Sequence, residues 1–285
     1  MLSSSTPQPV RSKAQQVNVA RVRSTADGAP VFAFELRPRD SSGNGLPHIL
    51  FLHGNAADVG ELMSFLWQLA GSVSCNVLAV EYQAFGQSGG SPSIASLRTD
   101  AEASLRWLEK HRNARRSDIV VYGQSIGTHP ALLLATNFPG LRGVVLHSPM
   151  LSALSVLSPN RSACSPVMAL RSLDVLSNER LAPHVTCPVF LLHGADDVEI
   201  PISHAQRLLQ FLPNELVHRH WFAQGAGHND LSDIYFAFLI SYLWQFVHGT
   251  PFLPRFNSSR SRDSACSNDS GTSSNAHNHS LQNCI

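Results

Sequence analysis

Charge is scarce in this sequence, and it cancels. Charged residues make up 14% of the 285, and the formal net charge is +1. There is no basic stripe to follow a phosphate backbone and no acidic block, which argues against nucleic-acid binding. Cysteine is equally thin. Cys75, Cys164, Cys187, Cys266 and Cys284 lie far apart, are odd in number and form no Cys-x-x-Cys pair. That pattern speaks against a disulfide framework or a zinc site and fits a reducing compartment. Long apolar runs are missing as well. No stretch of about 18 apolar residues exists, so no spanning helix is expected. Residues 1–19 lack the apolar segment of a signal peptide. The ending Gln282-Asn283-Cys284-Ile285 sets its cysteine out of place for a prenylation box.

What the chain does have is apolar content. Hydrophobic residues are 43% of the total, enough for a substantial core, and the length suits one large domain with tails. Residues 1–16 are rich in Ser, Pro and Gln and read as a flexible lead-in. Residues 251–285 become a Ser/Asn-rich tail with too little apolar surface to offset ordering, so disorder is expected there. Sequon-like triplets at Asn257, Asn268 and Asn278 fall in that tail and match its composition by chance. The folded domain is expected over 17–250.

Within it, strand and helix patterns alternate. Val17–Ser24 and Val31–Leu36 flank Asp27-Gly28, a hairpin signal. Short apolar runs at 48–52, 75–82, 119–122, 141–146 and 188–192 read as buried strands, and 215–222 as a further strand. Helical spacing marks 59–73, 94–108, 129–138 and 202–212, and 230–247 reads as one long apolar helix. Helix after strand, repeated, predicts a mostly parallel central sheet with helices on both faces. The segment 151–184, with Pro159, Pro166 and Pro183 and no clear period, reads as a short insertion or partial lid.

Ligands of such sheets bind beyond the carboxyl ends of the strands. One strand there, Ile119–Tyr122, runs into Gly123-Gln124-Ser125-Ile126-Gly127, and a helix follows. Small residues at 123 and 127 leave room for a tight turn that presents the Ser125 hydroxyl. This elbow resembles the nucleophile elbow of the α/β-hydrolase fold, whose partners follow in the order serine, acid, histidine. A serine hydroxyl is barely nucleophilic at neutral pH and needs a base held by a carboxylate. The acid should come from the loop after 188–192, where Asp196, Asp197 and Glu199 all lie; helix capping is the structural alternative for the aspartates. Fourteen histidines are present, and most fall in strands, helices or the tail. His228 sits instead in the glycine-flanked loop Gly225-Ala-Gly-His-Asn-Asp230, between the last strand and the last helix. His218 and His220 lie inside the strand and suit packing. Two backbone donors should face the developing oxyanion. The Ile126 amide is one candidate; Asn55, with Ala56 beside it in His53-Gly54-Asn55-Ala56, is the other.

Five segments carry a more specific resemblance: 52–60, 121–127, 145–149, 193–197 and 225–230. Together they resemble the α/β-hydrolase-domain-containing protein 17 family, over roughly residues 30–248, with Bem46-like and serine-aminopeptidase-like hydrolases as broader kin. The strand-His-Gly-x-x-Asp pattern of the fold family selects Asp197 as the acid, with Asp196 as its competitor. The resemblance implies protein S-depalmitoylation through Ser125, His228 and Asp197, with no metal or organic cofactor and an acylated protein or ester as substrate. It also implies a cytoplasmic enzyme, peripheral at membranes; a monomer is expected. Two departures stand out. Residues 1–30 carry none of the anchoring cysteines typical of the family. Glu81 and Ala84 stand where relatives usually have aspartate and glycine. The alternatives are a general carboxylesterase, lipase-like or serine-aminopeptidase-like hydrolase, and a catalytically silent binding module. Leu62, Met63, Phe65, Met150 and residues of 151–184 are candidates for the acyl-accommodating surface, with packing as the alternative.

Overall fold

Five successive strands have no exposed residue, and that fact organises the molecule. The computed structural model describes residues 17–25, 28–38, 45–157, 174 and 176–249. The expected lead-in and tail lie outside these residues. The buried strands are β3 (His48–Leu52), β4 (Asn76–Val80), β5 (Ile119–Gln124), β6 (Gly143–His147) and β7 (Val189–Gly194). They read as unbroken apolar runs because both of their faces are covered.

Eight strands make one sheet in the order β1-β2-β4-β3-β5-β6-β7-β8, with β1 (Val17–Ser24), β2 (Pro30–Leu36) and β8 (Val217–Ala223) toward the edges. β1 and β2 form the expected antiparallel hairpin, and β2 also pairs antiparallel with β4; every other pairing is parallel. Side chains alternate across the sheet. Leu50, Leu52, Val121, Leu146 and Leu191 share one core with helices α2 (Ile94–His111), α3 (Thr128–Asn137) and α6 (Ser203–Leu209). Ile49, Phe51, Val120, Tyr122 and Phe190 share the other with α1 (Val59–Val73) and α8 (Phe236–His248). Between β6 and β7 run the short helices α4 (Ala153–Leu157) and α5 (Asn178–Leu181). Residues 158–173 and 175 of the expected insertion lie outside the described residues.

Local chemistry fixes the helix ends. Asp58 caps α1 by accepting from the Glu61 amide at 3.0 Å. Ser93 and Ser96 form a reciprocal capping box on α2. One expectation fails. The long helix over 230–247 is two: α7 (Leu231–Ile234) and α8, broken at Tyr235, whose backbone (φ −120°, ψ 29°) leaves the helical region. The Tyr235 hydroxyl donates to the Gln224 carbonyl at 2.6 Å, a tertiary bond that the apolar periodicity does not encode.

The order of the sheet also locates the site. The chain leaves β3 toward β4 on one side and then crosses to β5 on the other. A crevice opens at the carboxyl ends of β3 and β5, where the connections diverge.

Candidate active site

Gly54 leaves the end of β3, and Ser125 leaves the end of β5. They meet so closely that a Cβ on Gly54 would stand 3.3 Å from the Ser125 Cβ. Ser125 itself holds φ +53°, a left-handed conformation that costs a non-glycine residue about 1–2 kcal/mol. The surroundings impose it. A Cβ at Gly123 would come within 2.4 Å of the Gly127 carbonyl oxygen, and one at Gly127 within 2.2 Å of the Leu52 carbonyl oxygen. Backbone fills the space where side chains would go, so both positions require glycine.

A line of hydrogen bonds starts at Ser125. His228 Nε2 lies 3.1 Å from Ser125 Oγ, and His228 Nδ1 lies 2.7 Å from Asp197 Oδ2. A carboxylate only accepts, so Nδ1 carries the proton and Nε2 is left to accept from the serine hydroxyl. Asp197 Oδ1 accepts from the Glu199 and Ile200 amides at 3.0 and 2.8 Å. His193 Nε2 approaches the same carboxylate at 3.2 Å and donates to the Ile200 carbonyl at 2.7 Å. Burial alone pushes the Asp197 carboxyl up. The bonds from His193, His228 and the Ile200 amide outweigh it and hold the group well below the usual carboxylate range. Burial likewise pulls the His228 imidazole down, and the Asp197 bond and charge, with Glu199, outweigh that and raise it. Glu199 Oε2 is 3.9 Å from His228 Nε2.

Beneath the elbow runs a second set of polar contacts. Thr128 Oγ1 donates to the Ser125 carbonyl at 2.6 Å, and Asn178 Nδ2 donates to Thr128 Oγ1 at 3.2 Å and to the Met150 carbonyl at 2.9 Å. The Asn178 carbonyl oxygen accepts from His129 Nδ1 at 3.0 Å. His129 Nε2 accepts from the Arg98 guanidinium at 3.0 and 3.2 Å. Burial pushes His129 down to about 4, so the ring is neutral at pH 7 and can accept from that cation.

A cleft of about 810 Å³ opens over Ser125 and His228. Asn55 and Ala56 are exposed in its wall, and neither commits its amide to a backbone hydrogen bond among the described residues. Ile126 lies in the wall of an adjoining cavity that also includes Gly54 and Asn55. His147 reaches the cleft from the end of β6. Its Nδ1 is 2.9 Å from the Tyr122 hydroxyl, and burial pushes the imidazole down to about 3. Glu61, Glu199 and Asp233 supply acidic walls, and among the described residues no Lys or Arg lines the cleft.

The structure thus brings Ser125, His228 and Asp197 into direct contact. Asp196 donates its amide to the Ala226 carbonyl, a different task from that of Asp197. His193, His147, Thr128, His129 and Asn178 were not singled out from sequence as site residues. His193 carried a signal, since it ends a buried strand just before the acidic loop. Asn178 carried none.

Comparison with known proteins agrees with this architecture. The family model described as "Serine aminopeptidase, S33" matches residues 46–175. Solved structures share the fold: an esterase of Pyrococcus furiosus has TM-score 0.62 at 18% identity, over 82% of this chain and 92% of that one. An α/β-hydrolase from Vibrio vulnificus has TM-score 0.62 at 20% identity, over 79% and 80%. This chain has the α/β-hydrolase fold. The chain is 37% identical over 183 residues to α/β-hydrolase domain-containing protein 17C of Xenopus tropicalis, 64% of this chain and 56% of that protein. It is 34% identical over 190 residues to the human 17B protein, 67% of this chain and 63% of that one. The chain therefore spans between half and two thirds of the length of these relatives. Among its described residues no helix is long and apolar enough to cross a membrane.

Proposed function

We propose that this protein is a serine hydrolase that cleaves acyl thioesters of proteins. One observation carries the reading. His228 bridges Ser125 Oγ and Asp197 through its two ring nitrogens, at 3.1 and 2.7 Å.

In this reading His228 Nε2 takes the hydroxyl proton as Ser125 Oγ attacks the thioester carbonyl carbon. The carbonyl oxygen gains negative charge and meets the amides of Ile126 and of Asn55, with Ala56 beside it. As the tetrahedral species collapses, the carbon–sulfur bond breaks and His228 returns its proton to the departing thiolate. Water then attacks the acyl-serine, its proton passes to His228 and on to Ser125 Oγ, and a fatty acid is released. Asp197 stays ionised throughout and holds the imidazole in the tautomer that the first step needs. The acyl-protein part rests on the resemblance to the 17 family; the chemistry of the three side chains serves oxygen esters equally.

Two measurements test the reading. A fluorophosphonate probe labels the wild-type chain, and Ser125→Ala abolishes the labelling. S-palmitoylated peptides release palmitate at rates above those of a panel of short nitrophenyl esters. A wild-type chain that fails to label is a binding module and ends the enzymatic reading. Turnover of short oxygen esters with no thioester cleavage makes the protein a general carboxylesterase instead.

A further inference from the structure

The cleft over Ser125 has an apolar neighbour. A second cavity, of about 240 Å³, is walled by Tyr82, Phe85, Pro92, Ile94, Leu97 and Ile126. The two share Gly54 and Asn55. Gly54 abuts Ser125 directly, since a Cβ placed there would reach the Ser125 Cβ at 3.3 Å and Oγ at 4.0 Å. Ser125, in the wall of the larger cleft, therefore sits next to the shared border at Gly54, and the candidate oxyanion residues Asn55 and Ile126 border the smaller space.

The chemistry of the two spaces differs. The larger cleft carries Glu61, Glu199, Asn229, Ser232 and Asp233 beside Leu62, Phe65 and Phe236, and its acidic side chains suit a solvated, polar group. Among the described residues, the smaller cavity has no charged residue in its wall. Three of its polar members, Gln83, Ser93 and Ser96, are engaged with protein, while Asn55 is exposed and the Tyr82 hydroxyl is buried without a hydrogen-bond partner among the described residues. Ser93 and Ser96 bond each other in the α2 capping box, and the Gln83 side-chain amide donates to Asp100 at 3.1 Å. Tyr82 and Phe85 are packed edge-on, ring centroids 6.1 Å apart, which gives a firm wall.

We propose that the smaller cavity receives the first carbons of the acyl chain, while the larger cleft receives the leaving group. This rests on the serine-hydrolase reading above and adds the direction in which the substrate lies. It also moves the acyl site away from Leu62 and Phe65, which belong to the larger cleft. At about 30 Å³ of liquid volume per water, the cavity holds on the order of eight water-sized groups. Burying each methylene there should raise kcat/KM about fourfold. The gain should level off near eight carbons, and longer chains should be tolerated without further benefit.

The test is a chain-length series of nitrophenyl and thiol esters from acetyl to palmitoyl, normalised to fluorophosphonate-labelled Ser125. For the wild-type chain, kcat/KM climbs to about octanoyl and then flattens. Ile94→Trp fills the cavity and lowers the octanoyl-to-acetyl ratio at least tenfold. Phe85→Ala enlarges it and moves the plateau to longer chains, so the inference stays testable if the tryptophan variant does not fold. A wild-type chain that labels but has a flat profile overturns the assignment alone. So does a ratio that falls in Leu62→Trp and not in Ile94→Trp, because the chain then lies in the larger cleft. Absence of labelling in the wild-type chain overturns the hydrolase reading and this assignment with it.

Discussion

Ser125 is held in a conformation it would not choose. Its φ of +53° persists because Gly123 and Gly127 let neighbouring backbone close in around it. Ala84 holds φ +66° with less reason. It is exposed, and relatives were expected to carry glycine there. Ala84→Gly should stabilise the fold by about 0.5–1 kcal/mol, because the relief of left-handed strain exceeds the added chain entropy. Thermal unfolding should then shift upward by roughly 2–3 °C; an unchanged or lower midpoint counts against strain at this turn. In the proposed mechanism His228 must be neutral to act as base. Its affinity for protons is raised, so the acid limb of kcat/KM should lie above the ordinary histidine value. Glu199 contributes to that rise, and Glu199→Gln should move the limb to lower pH. A limb that stays in place shows that Asp197 alone sets it. Single residues of this kind were legible in the sequence where motif and turn coincide, as at Ser125 and His228. Asp196 and Asp197 are adjacent, and residue type alone did not separate them. Folding does: Asp197 is buried against two histidines, while the Asp196 amide faces the Ala226 carbonyl.

At the scale of elements, periodicity found most helices and strands but not their exact ends. β5 runs on through Gly123 to Gln124, because the backbone keeps pairing with β6 as far as His147. The break at Tyr235 coincides with a tertiary hydrogen bond of its hydroxyl, which no window of apolar spacing contains. The tie between α5 and α3 escaped for the same reason: Asn178 and Thr128 are 50 residues apart. That tie is worth testing, because α5 closes the inter-strand connection that leaves β6 at Met150. Asn178→Ala strands buried groups on Thr128, His129 and the Met150 carbonyl, a loss of about 3 kcal/mol. Asn178→Asp keeps the acceptor for His129 and loses both donated bonds. If Asn178 positions the elbow, both variants should label several-fold more slowly with fluorophosphonate per folded molecule, and kcat should fall more than KM rises. Lower stability with an unchanged labelling rate would make the asparagine a packing device only.

For the whole molecule, the alternation of strand and helix was enough to predict a parallel sheet with two covered faces. Strand order was not available from that pattern, since pairing depends on contacts between distant segments. The order explains why the site forms where it does. Residues from the ends of β3, β5, β7 and β8 converge over the point where the chain reverses its direction across the sheet. The two cores on either side of the sheet have different neighbours, and this allows stability to be separated from chemistry. Phe246 on α8 belongs to the core that lies across from α3. Its ring packs 5.9 Å from Phe190 and 5.3 Å from His218, and it fills the space over Gly143, where a Cβ would lie 2.4 Å from the ring. Phe246→Ala should therefore cost about 3–5 kcal/mol and lower the unfolding midpoint by roughly 10 °C. Fluorophosphonate labelling per folded molecule should stay at the wild-type rate, because β5 and the elbow keep their other core. A labelling rate that falls along with stability would show that the two faces of the sheet are mechanically coupled through β5 and β6, and that the elbow's strain is borne by the whole sheet rather than by its own turn.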